Sequence, residues 1–527
     1  MRVLPWPVVR QGQLLTEELE PTEVNMLSLA FLGILFILYL LSRSEPRLPP
    51  GPRPLPILGN LHQAPRKNSW LEFKKWHEQY GPIVSFKLGQ QVYVLLGTHK
   101  AARDLLDKRS SIYSTRPRSI VAGECVTKGL GTVFLPYGAR WKTHHQIQGE
   151  FLNQYMTKQY SVLQDVETRQ VVYDLIHTND FDSSFHRMAA SLVFALAYGK
   201  RFPDGDEDEI REVTDLMKSL IDKMTPGKWM VDVFPVLNHL PRILAPWKRI
   251  GDEMHHRESK LFIENTTKAQ KTPNWNWSKH VMGLKKINKL SATELGYIIG
   301  ILYQAGSDTT SVTLCDVVVA CLLHPDAVRK AQEELDSVIG QDRLPEIDDM
   351  ANIPYTIGFL QEVMRLRPIT PVGMPHATTQ DDEYMGYHIP KGATVMPNYW
   401  TMAADEDVFD DPGSFMPERW IKNPKLPFIN FGFGRRVCTG RHIAMNTLRL
   451  TVSRILWAYN IGHAYENGKR LEVDPLARTQ DTVSKPSPFK AEFKVRSQGH
   501  REVVERSWMA AEKNLEVILE GVGPKSQ

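Results

Sequence analysis

The sequence predicts a mainly α-helical fold with small β-sheets, carried behind an N-terminal transmembrane helix. Three observations predict it. From about Asp104 onward the apolar spacing is mostly helical, and one apolar stretch runs from Ser291 to Leu323. Two short β-like runs, Ile83–Leu88 and Val92–Leu96, flank a turn at Gly89-Gln90 and read as a hairpin. Met26 to Leu41 carries no charge.

The charge-free run extends to Ser42, at the short end of the roughly 17–25 residues that a spanning helix needs. Glu17, Glu18, Glu20 and Glu23 precede it, whereas Arg43, Arg47 and Arg53 follow, so the bulk of the chain is expected in the cytosol. Basic residues follow the apolar run and no small-residue cleavage site is evident, which argues for a retained anchor over a cleaved signal peptide. The expected organisation is a lumenal segment (1–25), an anchor (26–42), a proline-rich hinge (43–60), a catalytic body (61–496) and a C-terminal extension (497–527), as a single-pass protein of the endoplasmic reticulum. Pro46, Pro49, Pro50, Pro52, Pro54 and Pro56 make the hinge extended and semi-rigid. Asn265-Thr266-Thr267 and Asn276-Trp277-Ser278 match the glycosylation sequon, but a cytosolic body would leave them bare.

Within the body, Ser291-Ala292-Thr293-Glu294 has the form of a capping box opening the long apolar helix, and His324-Pro325 ends it. The next helix starts at Pro325 and stops at Gly340, and another runs from Pro354 to just before Pro368. In the extension, Val503, Val504, Trp508, Leu515 and Ile518 line one face of a helix, with no chemistry apparent.

Composition excludes several classes. The formal charge is only +4 over 527 residues, and no Lys/Arg stripe interleaved with aromatics suggests nucleic acid. The four cysteines, Cys125, Cys315, Cys321 and Cys438, are scattered, with neither a disulfide framework nor zinc spacing. Cys438 alone has particular surroundings: Phe431-Gly432-Phe433-Gly434-Arg435-Arg436-Val437-Cys438-Thr439-Gly440, then an apolar helix. The glycines permit a tight loop and close approach of a flat ligand. A thiol ahead of a helix and beside arginines is expected to favour its thiolate, which can ligate a metal.

The complete pattern Phe-x-x-Gly-x-Arg-x-Cys-x-Gly closely resembles the haem-binding loop of the cytochromes P450. The resemblance implies the P450 fold and haem b held by the Cys438 thiolate, a ligand that favours O–O cleavage. Glu362 and Arg365 share a helix face and, with Arg419 in Phe415-x-Pro417-Glu418-Arg419-Trp420, resemble the family's Glu–Arg–Arg triad, a structural ion network. Ala305-Gly306-Ser307-Asp308-Thr309-Thr310 resembles the oxygen-activation motif. That casts Thr309 as the hydrogen-bond partner of oxygen at the iron and Asp308 as the proton feed, with Gly306 letting a ligand approach the helix backbone. For the haem carboxylates, Arg436 and His376 match usual donors. Trp141 opens a Trp-x-x-x-Arg motif whose last position is here His145.

The resemblance further implies electrons from NADPH through a separate flavoprotein reductase, since no flavin- or NADPH-binding glycine fingerprint is present. Arg435, Arg441, Lys422, Lys425 and Lys142 are expected near the cysteine side, where they could steer an acidic partner. The expected activity is insertion of one oxygen atom from O2 into an apolar small molecule. Alternatives are an isomerase or dehydratase needing no reductase, and a non-enzymatic haem sensor; neither needs the Asp308–Thr309 pair. The segment Asp381 to Gly392 is similar to fungal secondary-metabolite oxidases, which implies a terpenoid or aromatic polyketide substrate. By family position the pocket candidates are Ile301, Leu302, Ala305, Val372, Met374 and Phe489.

Overall fold

The computed structural model describes residues 28, 31–35, 47–65, 67–224, 228–284, 287 and 290–523, and divides into two units, Met1–Leu48 and Pro49–Gln527. In the first unit residues 28 and 31–35 are helical, and most of the expected 26–42 anchor lies outside the described residues. Among the described residues one helix is long and apolar enough to cross a membrane, Ala292–Leu323. Most of it is buried within the protein, so it is a core helix.

The second unit is mainly helical. Its principal helices are α1 (Ser69–Tyr80), α2 (Ala139–Leu152), α3 (Ser161–Asp174), α4 (Phe181–Tyr198), α5 (Asp208–Met224), α6 (Pro246–Lys271) and α7 (Ala292–Leu323). There follow α8 (Pro325–Val338), α9 (Pro354–Leu366), α10 (Arg441–Ala458), α11 (Gln498–Met509) and α12 (Leu515–Leu519). The larger sheet has four strands in the order β1 (Ile83–Leu88), β2 (Gln91–Leu96), β4 (Thr394–Pro397) and β3 (His376–Ala377). The hairpin β1–β2 turns at Gly89, whose φ of +59° is the left-handed conformation a glycine adopts freely.

Helix α7 organises the unit. Its 32 residues extend about 48 Å. Ser291 Oγ accepts from Glu294 N at 3.1 Å. The reciprocal arm of the expected capping box is given up: the Glu294 carboxylate accepts instead from Arg140 Nε at 2.8 Å and bonds His144 Nε2 at 2.9 Å, which locks α2 onto α7. Close packing on two further sides needs glycine. A Cβ on Gly300 would fall inside the Phe262 ring of α6, and one on Gly306 would sit 2.8 Å from Val193 Cγ2 of α4. Gly306 therefore serves helix–helix contact; the expected role in ligand approach is corrected.

Two organisational expectations also change. From Pro49 the proline segment does not swing free: Pro50 O accepts from Ser85 N at 2.9 Å, and a Cβ on Gly51 would overlap Ser85 O. Gln498–Met509 and Leu515–Leu519 are helices, and they belong to the core. Val503 and Val504 join the cluster around α3, α7 and α10, while Ile518, Leu519 and Val522 join the one built on α2 and α4. Both sequon asparagines are buried, Asn276 with its amide donating to Ala269 O at 3.1 Å, so the folded protein offers no glycan acceptor at either site.

Candidate active site

The cysteine loop is shaped by its glycines. Gly432 and Gly434 adopt φ of +86° and +53°, and a Cβ on Gly434 would overlap Leu106 O. The Gly434 N–H donates to Asp107 Oδ1 at 2.6 Å, and Cys438 N donates to Phe431 O at 2.8 Å, closing the loop just before α10. Cys438 is exposed, yet enough chain surrounds it for burial to dominate its titration. Both hold if the sulfur opens onto an enclosed space inside the fold. Burial pushes the thiol up, and the Gly440 N–H and Arg441 only partly oppose it. The expectation of a thiolate favoured by helix and arginines is thus corrected; desolvation outweighs both.

Next to this loop lies a cationic cluster that no carboxylate of the described residues neutralises. Arg436 Nε and Nη2 donate to Ser114 O and Leu135 O, each at 2.7 Å, and its guanidinium lies 4.4 Å over the buried Trp141 ring. His376 Nδ1 bonds Tyr113 O at 2.8 Å, which makes Nδ1 the protonated nitrogen. Arg116 Nε donates to Val133 O at 3.2 Å and Nη1 to Met374 O at 3.3 Å. Burial pulls Arg436 down to about 9, Arg116 to about 10 and His376 to about 3. Arg116 adds to the fall of both His376 and Arg436 by like-charge repulsion. Concentrating these groups costs free energy that an anion would return. The cluster therefore fits the two carboxylates of haem, and Cys438 beside it fits the iron. His145 lies against Trp141, ring centroids 4.7 Å apart; burial and then Arg436 and Arg441 lower its pKa, so it offers a neutral ring at this edge.

On α7 the residues fan out. Ala305 is exposed midway along α7, whose other residues short of its two ends are buried or half-buried. Thr309 Oγ1 donates to Ala305 O at 2.9 Å, which leaves the hydroxyl lone pairs to accept. The Asp308 carboxyl is raised by burial, while His186, Lys485 and Lys218 pull it down. Ile301 is buried; Leu302 packs against the α2–α4 cluster. Phe489 lies 5.1 Å from Phe181 in the α3–α10 core, so these two are packing residues by placement. Val372 is half-buried beside the β1–β2 core, and Met374 lines a small cavity with Tyr93 and Asp232.

Glu362, Arg365 and Arg419 meet. The fully buried Glu362 accepts from Arg365 Nε and Nη2 at 2.9 and 2.7 Å, from Arg419 Nε at 3.0 Å, from Trp420 Nε1 at 2.9 Å and from Met416 N at 3.0 Å. Asn430 Nδ2 donates to Met364 O at 2.6 Å, tying α9 to the cysteine loop.

Of the basic residues expected near the cysteine, Arg435 and Lys142 are spent on Tyr137. Arg441 lines a groove of about 680 Å³ beside Phe431, Gly432 and Val437, together with Lys158, His442 and Arg449. Sequence reasoning missed Arg449, Lys158 and above all Arg116. The Ser114-Thr115-Arg116-Pro117 stretch carries no periodicity, and its only signal is that an arginine sits between two short apolar runs.

The family described as Cytochrome P450 matches residues 49–493. The chain is 46% identical over 502 residues to the cytochrome P450 monooxygenase aneD of Aspergillus aculeatus, covering 94% of this chain and 97% of that one. It is 44% identical to the cytochrome P450 monooxygenase FrzL of a Cladobotryum species (92% and 95% covered). Identity to the cytochrome P450 monooxygenase peniB of Penicillium patulum is 42%, with 93% of each chain covered.

Proposed function

The chain belongs to the cytochrome P450 family, a haem-thiolate oxidoreductase, and from that premise we propose a membrane-anchored monooxygenase of secondary metabolism. Its substrate is a largely apolar small molecule, a terpenoid or aromatic polyketide, into which one oxygen atom from O2 is inserted. Electrons come from NADPH through a separate reductase, and the anchor at 26–42 keeps the body on the cytosolic face of the endoplasmic reticulum.

One observation carries the reading: Arg116, His376 and Arg436 gather beside the Cys438 loop with no carboxylate partner among the described residues. When bound there, haem ligated by a thiolate supplies the chemistry of O2 binding and O–O cleavage. The residues supply the rest. Arg116, Arg436 and His376 hold the haem carboxylates. His376 already commits its Nδ1 proton to Tyr113 O, so donation from Nε2 needs a second proton, which an adjacent anion favours. Trp141 keeps water from Arg436 and supports its charge through its ring. Asp308, raised by burial, holds its carboxyl proton more readily than an exposed acid does. Thr309 is positioned to accept a hydrogen bond, because its own proton goes to Ala305 O. The groove holding Arg441, Arg449 and Lys158 has one acid, Asp348, and suits an acidic reductase surface.

The test is Cys438→Ala. The parent should show the thiolate-type Soret band when reduced under carbon monoxide and consume NADPH only with reductase; the variant should lose both. Retention of that band in the variant refutes the ligand assignment.

A further inference from the structure

We propose that a small cavity beside the cationic cluster binds the positively charged nitrogen of a ligand, with the Asp232 carboxylate as its counter-charge and the Thr482 hydroxyl as a second polar contact. The inference rests on the monooxygenase reading in taking that ligand as the substrate, and it deepens it: the apolar body carries a cationic nitrogen.

The cavity has a volume of about 90 Å³. That is room for several waters or one end of a small molecule, so the remainder of the ligand must lie elsewhere. Its walls are mostly apolar, with Tyr93, Phe134, Val133, Met224, Val233 and Met374, while Arg116 belongs both to it and to the cationic cluster. Two polar groups stand out in this lining. Asp232 Oδ1 accepts from Ile120 N at 2.6 Å and Val121 N at 3.3 Å, whereas Oδ2 makes no hydrogen bond among the described residues. Thr482 is 8% exposed, and its buried Oγ1 has no partner. A buried hydroxyl left unmatched costs free energy that a ligand can recover.

A purely structural role for Asp232, capping the π-helical turn Ile120–Val126, accounts for Oδ1. It leaves both Oδ2 and Thr482 unexplained. Local charge is compatible with a cation. Arg118 is engaged by Glu124 through Nε at 2.5 Å and Nη2 at 3.0 Å. Arg118 also lines the cavity and lowers the Asp232 carboxyl, but its hydrogen bonds go to Glu124, and Arg116 lies at the haem-carboxylate edge, so no cation is hydrogen-bonded to Asp232 among the described residues. Burial pushes its carboxyl up, a penalty that an adjacent cation reverses. The Tyr93 and Phe134 rings add faces on which an alkylated ammonium can rest.

The experiment uses the haem-loaded full-length protein and two probes of nearly equal shape, benzyltrimethylammonium and its uncharged all-carbon isostere neopentylbenzene. A quaternary nitrogen has no lone pair, so it cannot ligate iron. Affinity is measured by equilibrium dialysis and by the shift in thermal unfolding. The parent should bind the cation more tightly than the isostere and be stabilised more by it. Asp232→Asn keeps an acceptor for Ile120 and Val121 N–H. It should weaken the cation about tenfold or more, since bonds to charged groups are the stronger class, and leave the isostere unchanged. Thr482→Val should weaken the cation about two- to threefold. Equal affinity of the parent for both probes overturns the proposal, as does an Asp232→Asn variant that binds the cation undiminished. Failure of the monooxygenase reading shows separately, as a missing thiolate-type Soret band in the unmodified protein.

Discussion

Replacing Glu362 with alanine tests the logic of the buried ion network most directly. One carboxylate with no solvent exposure accepts five bonds, three from the guanidinium groups of Arg365 and Arg419, one from Trp420 Nε1 and one from Met416 N. Removing it strands two buried positive charges, for which about 3–5 kcal/mol is the usual loss. Both arginines keep carbonyl partners, Arg365 Nη1 with Pro412 O at 3.0 Å and Arg419 Nη1 with Asp410 O at 2.7 Å, so collapse to an unfolded chain is not expected. Because Asn430 links α9 to the cysteine loop, the damage should also reach the ligand: part of the thiolate-type Soret band should be lost at temperatures where the helices persist. The assay is urea unfolding followed by circular dichroism, alongside the carbon monoxide spectrum. The triple variant Glu362→Met, Arg365→Met, Arg419→Met leaves no stranded charge, so it should be less destabilised than Glu362→Ala alone. A single-variant loss below about 1 kcal/mol, or a triple variant that loses more than the single one, would rule out stranded charge as the source of the loss.

Further outcomes follow from buried groups elsewhere. Glu258, fully buried, accepts from Tyr297 Oη at 3.0 Å and Gln304 Nε2 at 3.2 Å with no cation paired to it among the described residues, and burial raises it to about 7. The folded protein therefore binds the extra proton between the ordinary carboxyl range and about 7, and stability falls as pH rises through that window. Glu258→Gln should be more stable than the parent by about 2–3 kcal/mol near pH 8 and similar to it near pH 4; a variant equally stabilised at both sinks the assignment. Gly306→Ala should cost about 1–3 kcal/mol through overlap with Val193 despite a better helix propensity, and Val193→Ala in the same chain should recover much of it in thermal melts. Thr309→Ala should retain haem and substrate binding but divert NADPH from product to hydrogen peroxide, measured as product per NADPH consumed; unchanged coupling would remove Thr309 from the proton path.

The motifs readable in the chain are those whose parts lie close together. The cysteine loop is ten residues of glycine-controlled backbone, and the pairing of Glu362 with Arg365 is a matter of helix spacing. The ends of α7 are written as Ser291 and His324-Pro325. Arg116, by contrast, meets His376 and Arg436 from positions hundreds of residues away, and nothing local marks it. The same distance hid the contact of Gly306 with Val193, of Phe489 with Phe181, and of the last helices with α3.

Chain order alone pointed to Cys438 as the candidate haem ligand, to Glu362, Arg365 and Arg419 as an ion network, and to the ends of the long helix, because backbone freedom, helix periodicity and capping act over a few residues. It took the folded protein to bring Arg116 to Arg436 and His376, with no carboxylate among the described residues to neutralise them. Desolvation and Coulomb interaction depend on what surrounds a group in space, and chain order does not record that.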